Sequence, residues 1–571
     1  MISRADALHA LATETFDVVV VGGGITGAGV AFDAATRGYS VALVERADFA
    51  AGTSSRSSKL VHGGLRYLQS FDLGLVREAL LERQLMVALA PHLVHPLALV
   101  VAAFDGERPD RRTGVGLNLY DVMSVERRRR TARPRLRGRG SAGAAGAVAG
   151  NGRDPADWSP ERHRTISGAE VLELVPALAA RAPTSGYLFY DCQTDDVRLV
   201  LTVLAEAERF GAVCANGLDV TELVRDDAGR AAGVRVRESP GGEELVVRAA
   251  NVVNATGVWA DRLRPDELHD EAEVPRIRPS RGTHITLRHD DLPLAAGGAI
   301  VPAGGGRTIF ALPWLGRTLL GTTDNDFEGP LLDHHVPPAQ EDVAYLLDAA
   351  NAYFATELAA SDLTGAYAGV RPLISTGDPR KSVDISRKAE LYETSSGMVT
   401  ITGGKLTTWR RMAKMTVDRL VEREARDAPC RTHEIPLGAP VAVADLPRVE
   451  GVPSAAYAAL AGRYGHAAHD VLAIARERPE LAAPIVAGLP DLLAEAVYAA
   501  RREQARSLGD VFLRRTRLAL LAGREIAARG ASAGRVAAAL APELGWDAAG
   551  VATALRAWVA EATAEGVVGS P

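Results

Sequence analysis

The stretch FDVVVVGGGITG, residues 16–27, together with the acid that ends the run SVALVE at Glu45, decides the fold of this chain. An apolar run stops at glycines, a short helical stretch follows, and a second apolar run ends in a carboxylate twenty-one positions past Gly24. That is the dinucleotide fingerprint of a doubly wound α/β unit. Gly22 permits the tight turn after the first strand, and Gly24 lets the backbone approach a pyrophosphate. Gly27 lets the helix pack close to the sheet. The helix N-terminus turns N–H groups and the positive end of a dipole toward phosphate. Glu45, closing the second strand, is placed to accept hydrogen bonds from a ribose diol.

The rest of the chain sets bounds on that reading. With 571 residues it is too long for one ordinary domain and predicts two to four. The apolar share of 47% and the charged share of 24% are those of a globular protein. A net charge of −6 gives no general basic field and no case for nucleic acid. Cys192, Cys214 and Cys430 are widely spaced and odd in number, so neither a disulfide framework nor a metal site is expected. The first fifteen residues carry acids and no apolar core, unlike a secretory signal. The most apolar window, 84–104, contains Pro91, His92, His95 and Pro96, so no membrane-spanning helix is expected. Any membrane contact would be peripheral.

Along the chain, DFAAGTSSRSSKLVHGGLRYLQ (48–69) is too rich in Gly, Ser and Thr for a regular element. Leu73, Val76, Leu80, Leu81 and Leu85 then mark one face of a helix. Residues 123–165 form an Arg/Gly/Ala-rich stretch read as a flexible surface insertion. Its arginine run at 127–139 would suit an anionic membrane surface, but a solvated insertion is the favoured reading. Residues 281–323 alternate as antiparallel strands do, and 440–566 are Ala-rich with helical period.

Two further turns separate the candidate cofactors. NVVNATGVWAD (251–261) and VTITGGKLTTW (399–409) each run from an apolar strand into a small-residue turn. A cofactor with a buried ring needs such returns of the chain to the fingerprint. Three turns in this order point to FAD rather than NAD, with N–H groups around Leu406–Thr408 facing the flavin N1/O2 edge.

Taken together, GGGITGAG, GTSSRSSKLVHGGLRYL, YDCQTDDVRLV, NATGVWAD, GTHI, GTTD, GVRPL and GGKLTTWR resemble the FAD-dependent glycerol-3-phosphate dehydrogenases. Residues 491–520 resemble that family's C-terminal helical domain, and the likeness runs from about 16 to 560, breaking chiefly at 123–165. The resemblance implies an α/β fold: a Rossmann-like FAD-binding domain, an inserted antiparallel substrate domain and a C-terminal all-helical domain. The oxidoreductase region is expected at 16–430. FAD-binding segments are expected near 16–110, 190–260 and 365–425, and substrate segments near 80–190 and 265–365. The helical domain is expected at 431–571.

The same resemblance implies oxidation of sn-glycerol 3-phosphate at C2 to dihydroxyacetone phosphate. A hydride goes to flavin N5 of a non-covalent FAD, and electrons pass to a membrane quinone. It implies a cytoplasmic protein, peripherally bound to the inner face of the cell membrane, with an oligomer left open. Catalytic residues would be Arg66, His284, Arg371 and Lys405, joined in substrate binding by Tyr67 and Arg387. Chemically, the arginines suit a phosphate dianion or an alkoxide, and His284 suits proton transfer. Asp324 would orient a neighbour or the base, or cap a turn. Cofactor contacts would come first from Gly22, Gly23, Gly24, Ile25, Thr26, Gly27, Glu45 and Arg46. The loop after the fingerprint would add Thr53, Ser54, Ser58, Lys59, Leu60, His62 and Gly64. The returning turns would add Ala255, Thr256 and Gly257, then Gly403, Gly404, Leu406, Thr407 and Thr408.

Three rivals remain at this level. A glycerol-3-phosphate oxidase would share the pocket and use O2. An amine or amino-acid oxidase would need a carboxylate clamp rather than several cations. A non-catalytic flavin-binding assembly protein would leave the pocket cations as unexplained burial costs.

Overall fold

A computed structural model of the protein describes residues 2–64, 73–107, 110–125, 161–239, 241–263, 276–329, 334–375, 388–527 and 530–569. The fingerprint folds as strand Thr15–Val21, helix Ile25–Thr36 and strand Val41–Glu45. The valines of the first strand are buried on both faces, as a central parallel strand requires. Gly27 packs so tightly that a Cβ there would run into the Gly22 carbonyl. Gly29 lets the same helix approach Trp409, whose ring a Cβ would meet at 2.6 Å.

These strands sit in an eight-stranded sheet whose main path runs Ala389–Glu393, Val399–Gly403, Glu244–Asn254, Thr15–Val21, Val41–Glu45, Val213–Asn216, with Ala231–Glu238 paired to Glu244–Asn254 and Leu218–Arg225 beyond it. The inner pairings are parallel, and their register sets the site: Val21 lies opposite both Asn254 and Val44, and Asn254 opposite Thr400. All three small-residue turns therefore leave the sheet along one edge, its carboxyl end, where open α/β sheets bind ligands. Helices Asp196–Arg209 and Trp409–Arg423 pack against Ile25–Thr36 and cover one face.

The second sheet is ten-stranded and mostly antiparallel. It carries Arg276–Arg288, Arg317–Gly321, Thr308–Trp314, Gly297–Pro302, His95–Ala103 and Ser185–Gln193 in that order. The strand Leu363–Ser375 pairs antiparallel with Arg276–Arg288 in this second sheet. The loop 48–59 contains only the short turn Thr53–Ser55, and Leu60–Val61 pairs at the end of the second sheet. Most of the Arg/Gly/Ala-rich stretch, 126–160, lies outside the described residues.

Beyond 440 the chain builds a helical core from Tyr457, Leu472, Val497, Phe512 and Trp558, among others. This region meets the loop after the fingerprint through buried charge. Asp48 accepts from Arg514 at 2.5 Å and from Arg515 at 2.6 and 2.8 Å. Arg198 meets Glu503 at 2.5 and 3.0 Å. Among the described residues, no helix is long and apolar enough to cross a membrane.

Candidate active site

Where the three turns meet lies a cavity of about 810 Å3, which continues over one face of the second sheet. Gly22, at φ +113°, starts the first turn, and a Cβ there would meet the Ala255 carbonyl at 2.7 Å. The Gly22 N–H donates to the Val44 carbonyl at 2.8 Å and Ala255 N–H to Val21 at 2.9 Å, so two turns are fixed side by side. The third is tied in by Thr402, whose hydroxyl donates to the Gly257 carbonyl at 3.1 Å. Gly257, Gly403 and Gly404 all take positive φ, which a side chain would strain. Gly24, Ile25 and Thr26 line the cavity at the helix start, and Ala255, Thr256 and Gly257 line it at the second turn. Gly403, Gly404, Lys405, Leu406 and Thr407 line it at the third.

Glu45 lies at this edge with its carboxylate accepting from Gly23 N–H at 2.6 Å and Ala47 N–H at 2.9 Å. Burial pushes its carboxyl upward, and these backbone donors oppose that. Arg46 stacks over Trp259 at 4.7 Å. Ser54 caps the helix by accepting from Ile25 N–H at 2.9 Å, and Thr53 donates to the Val370 carbonyl at 2.6 Å. His62 N–H donates to Thr407 Oγ1 at 3.2 Å, so the loop and the third turn are joined. Thr53, Ser54, Ser58, Leu60, His62 and Gly64 all reach the cavity. The shape is one that FAD fits. Glycine backbones stand where a pyrophosphate must pass, a carboxylate sits at the end of the second strand, and a third turn can meet a flat ring.

Four residues expected at the cofactor do not line the cavity. Gly23 sends its N–H to Glu45, and Gly27 is spent on helix–strand packing. Thr408 is buried beneath the third turn. Lys59 is fully buried, its ammonium 2.7 Å from Asp196 and 2.6 Å from the Ser55 carbonyl. Its φ of +59° turns it away from the neighbouring Ser58, which does face the cavity. Arg66, Tyr67 and Arg387 lie outside the described residues.

His284 and Arg371 come from neighbouring strands of the second sheet and line the same cavity. His284 lies directly opposite Tyr367, and the two rings stack at 4.8 Å with 7° between planes. Ser58 Oγ stands 2.8 Å from His284 Nε2, and among the described residues Nδ1 has no hydrogen-bond partner. Burial, then Lys59 and Arg371, hold the imidazole well below its ordinary pKa, so it is neutral at physiological pH. A neutral imidazole at a substrate cavity can accept a proton.

Arg371 donates to Asp324 at 3.1 Å, to Ser280 Oγ at 3.4 Å, to Thr322 Oγ1 at 2.9 Å and to the Thr323 carbonyl at 3.1 Å. Asp324 is buried behind it and accepts also from Ser280 at 2.6 Å. The acid thus orients the guanidinium. A Cβ at Gly282 would collide with Arg371, so that glycine makes room for the guanidinium.

Tyr367, Ser58 as partner of His284, and Thr322 were not singled out from sequence as parts of a catalytic group. Tyr367 had a usable signal: it stands four residues before Arg371 in a strand, where alternate residues share a face. His334, His335 and Glu565 bring potential metal-ligand atoms within 4.8 Å of one another. Glu565 there already meets the Arg56 guanidinium with both oxygens.

Comparison with known proteins matches residues 17–419 to the FAD dependent oxidoreductase family and residues 430–551 to the C-terminal domain of alpha-glycerophosphate oxidase. Glycerol-3-phosphate dehydrogenase 2 of Mycobacterium tuberculosis is 38% identical, the alignment covering 98% of this chain and 90% of that protein. A mitochondrial glycerol-3-phosphate dehydrogenase of Arabidopsis thaliana is 35% identical over 95% of this chain and 85% of its own. Among solved structures, glycerol-3-phosphate dehydrogenase from Bacillus halodurans complexed with FAD aligns with a TM-score of 0.74 and 27% identity, covering 98% of this chain and 97% of that one.

Proposed function

This chain belongs to the FAD dependent oxidoreductases, and within them to the glycerol-3-phosphate dehydrogenase family; on that premise we propose that it oxidises sn-glycerol 3-phosphate at C2 to dihydroxyacetone phosphate. The observation that carries the reading is the placement of Arg371 and His284 on one wall of the cavity that the glycine turns open into. FAD, bound non-covalently along those turns, supplies the hydride acceptor.

His284 takes the proton of the C2 hydroxyl, its neutral form being kept by burial and the nearby cations. Arg371, held by Asp324 and the Thr322 hydroxyl, binds the alkoxide or the phosphate with a fixed guanidinium plane. Lys405 adds a cation at the third turn, beside the ring edge or the phosphate. Arg66, Tyr67 and Arg387 complete the substrate contacts by their place in the family motifs.

The electron acceptor is a membrane quinone, reached by a cytoplasmic protein held peripherally on the inner face of the membrane. A second reading has its own support: residues 430–551 match a domain family named for an oxidase, which favours O2 as acceptor and H2O2 as product. Steady-state turnover of glycerol 3-phosphate with a short-chain quinone under argon, and a peroxide assay in air, separate the two. Quinone reduction without peroxide supports the first, and stoichiometric peroxide overturns it.

A further inference from the structure

Behind His284, on the side away from the cavity, lies a group of buried charges that the chemistry above does not use. Lys59 and Asp196 are both fully buried, and Arg517 from the C-terminal region is nearly so. Lys59 Nζ donates to Asp196 Oδ2 at 2.7 Å, and Arg517 donates to Asp196 Oδ1 at 3.3 Å. Both cations also donate to one atom, the Ser55 carbonyl, at 2.6 and 2.9 Å. Asp196 further accepts the N–H of Ser57 at 3.1 Å and its hydroxyl at 2.8 Å. Residues 55–59 are thereby pinned by Asp196 and Arg517 from outside the loop and by Lys59 from within it.

The pinned loop ends on His284. Ser58 reaches its Nε2, and Tyr367, stacked on the imidazole, donates its hydroxyl to the Ser57 carbonyl at 2.7 Å. The Lys59 ammonium stands 4.8 Å from the centre of the Tyr367 ring. We propose that Lys59, Asp196 and Arg517 act together as positioning residues for His284: they hold Ser58 and Tyr367 against the imidazole and keep a buried cation behind it. The C-terminal helical region then completes the active site rather than only covering it. This rests on the reading of His284 as the proton acceptor.

Two considerations support a role for charge beyond packing. Taking an ammonium, a carboxylate and a guanidinium out of water costs several kcal/mol per ion before their attraction is counted, and apolar residues of the same volume are often as stable. Apolar residues in place of the whole group would therefore hold the loop about as well, if holding were all that mattered. Among the described residues, the charged and ionisable groups that face the imidazole are few. Lys59 comes from the loop, with Asp196 and Arg517 behind it; Tyr367 and Arg371 come from the paired strand, with Asp324 behind Arg371. Burial first, then Lys59, then Arg371 lower the imidazole. Lys59 itself is lowered to about 7 by burial and Arg517, against the pull of Asp196. It is therefore charged on the acid side of neutrality, where a histidine titrates.

The test is the pH profile of kcat/KM for glycerol 3-phosphate with a soluble dye acceptor, measured on yellow holoenzyme of wild type, Lys59→Met and Lys59→Arg. Lys59→Met keeps FAD and moves the acid limb upward by about one pH unit, the size of a cation–imidazole interaction inside a protein. Its rate falls about tenfold near that limb and recovers at higher pH. Lys59→Arg keeps the limb where wild type has it. An unmoved limb in Lys59→Met, or a loss uniform in pH, overturns the proposal. If Lys59→Met does not yield holoprotein, Lys59→Gln is measured in the same way; loss of FAD in both also overturns it, in favour of a structural ion group. Wild type run in parallel separates the two levels: inactive wild type overturns the functional reading and this proposal with it, whereas active wild type with an unmoved variant limb overturns the proposal alone.

Discussion

Arg56 and Glu565 stand 509 positions apart in sequence and form a two-armed ion pair, Nη1 to Oε2 at 2.7 Å and Nη2 to Oε1 at 2.6 Å, both residues buried. Arg56 belongs to the loop that follows the dinucleotide fingerprint, and Glu565 ends the helix Ala548–Glu565. The C-terminal helix is thus fastened to the loop that carries Ser58 to His284.

Glu565→Gln removes the charge of that pair and leaves a buried guanidinium without its counter-ion. The expected loss of stability is about 3 kcal/mol, read as a lower midpoint of thermal or denaturant unfolding. The pH dependence has a definite sign. Burial raises the Glu565 carboxyl, but Arg56 and His335 more than offset it and leave it well below the usual range. A carboxyl lowered by folding stabilises above its unfolded value of about 4.3, and that contribution is lost as pH falls toward the folded value. Wild type loses it below about pH 4, whereas Glu565→Gln shows no such component.

Arg371→Ala keeps FAD, because no part of the glycine turns is altered, and loses kcat/KM by on the order of a hundredfold to a thousandfold. Arg371→Lys restores little, since an ammonium cannot reproduce the four contacts that fix the guanidinium plane. Asp324→Asn has a smaller effect of the same kind, through looser positioning of Arg371. Near-normal kcat/KM in Arg371→Ala would remove Arg371 from the site.

His284→Gln is expected to lower the rate of flavin reduction by about a hundredfold or more, with the flavin still bound. In wild type the imidazole is held below its ordinary value of about 6.5, so activity persists into mild acid and falls only as pH drops through the lowered value. A stopped-flow series of flavin reduction against pH reads both effects. A variant that reduces flavin at the wild-type rate would exclude His284 as the base.

Gly22→Ala is expected to yield protein without bound FAD. The residue sits at φ +113°, and the added methyl would press on the Ala255 carbonyl at 2.7 Å, splaying the two turns that flank the cofactor. The flavin absorbance of the purified protein measures it, and full yellow occupancy would contradict the role given to this turn.

The fingerprint was legible because its signals are local: a strand, a glycine turn, a helix and an acid within thirty residues. The approach of the turns at 255–257 and 403–407 was legible for the same reason, each being a strand that ends in small residues. Lys59 was not. Its sequence neighbours Ser58 and Leu60 face the cavity, and only the left-handed backbone at 59 turns the lysine inward toward Asp196. The partners Asp196 and Arg517 lie 137 and 458 positions further along the chain, and no periodicity announces such pairs. The pairing of Leu363–Ser375 with Arg276–Arg288 was not legible either, because pairing partners are tertiary facts. The strand's own alternation places Tyr367 beside Arg371.

Deletion of 127–150, which lies outside the described residues, is expected to leave turnover with soluble dyes intact, as befits a stretch where the family likeness breaks. A collapse of dye activity would make the stretch part of the active domain.

The most direct test of the central claim is an anaerobic titration of the purified yellow protein with sn-glycerol 3-phosphate, following the flavin absorbance. The expected result is bleaching of the oxidised bands, with dihydroxyacetone phosphate formed in step. A flavin that stays oxidised with glycerol 3-phosphate but bleaches with sarcosine or a D-amino acid would contradict it.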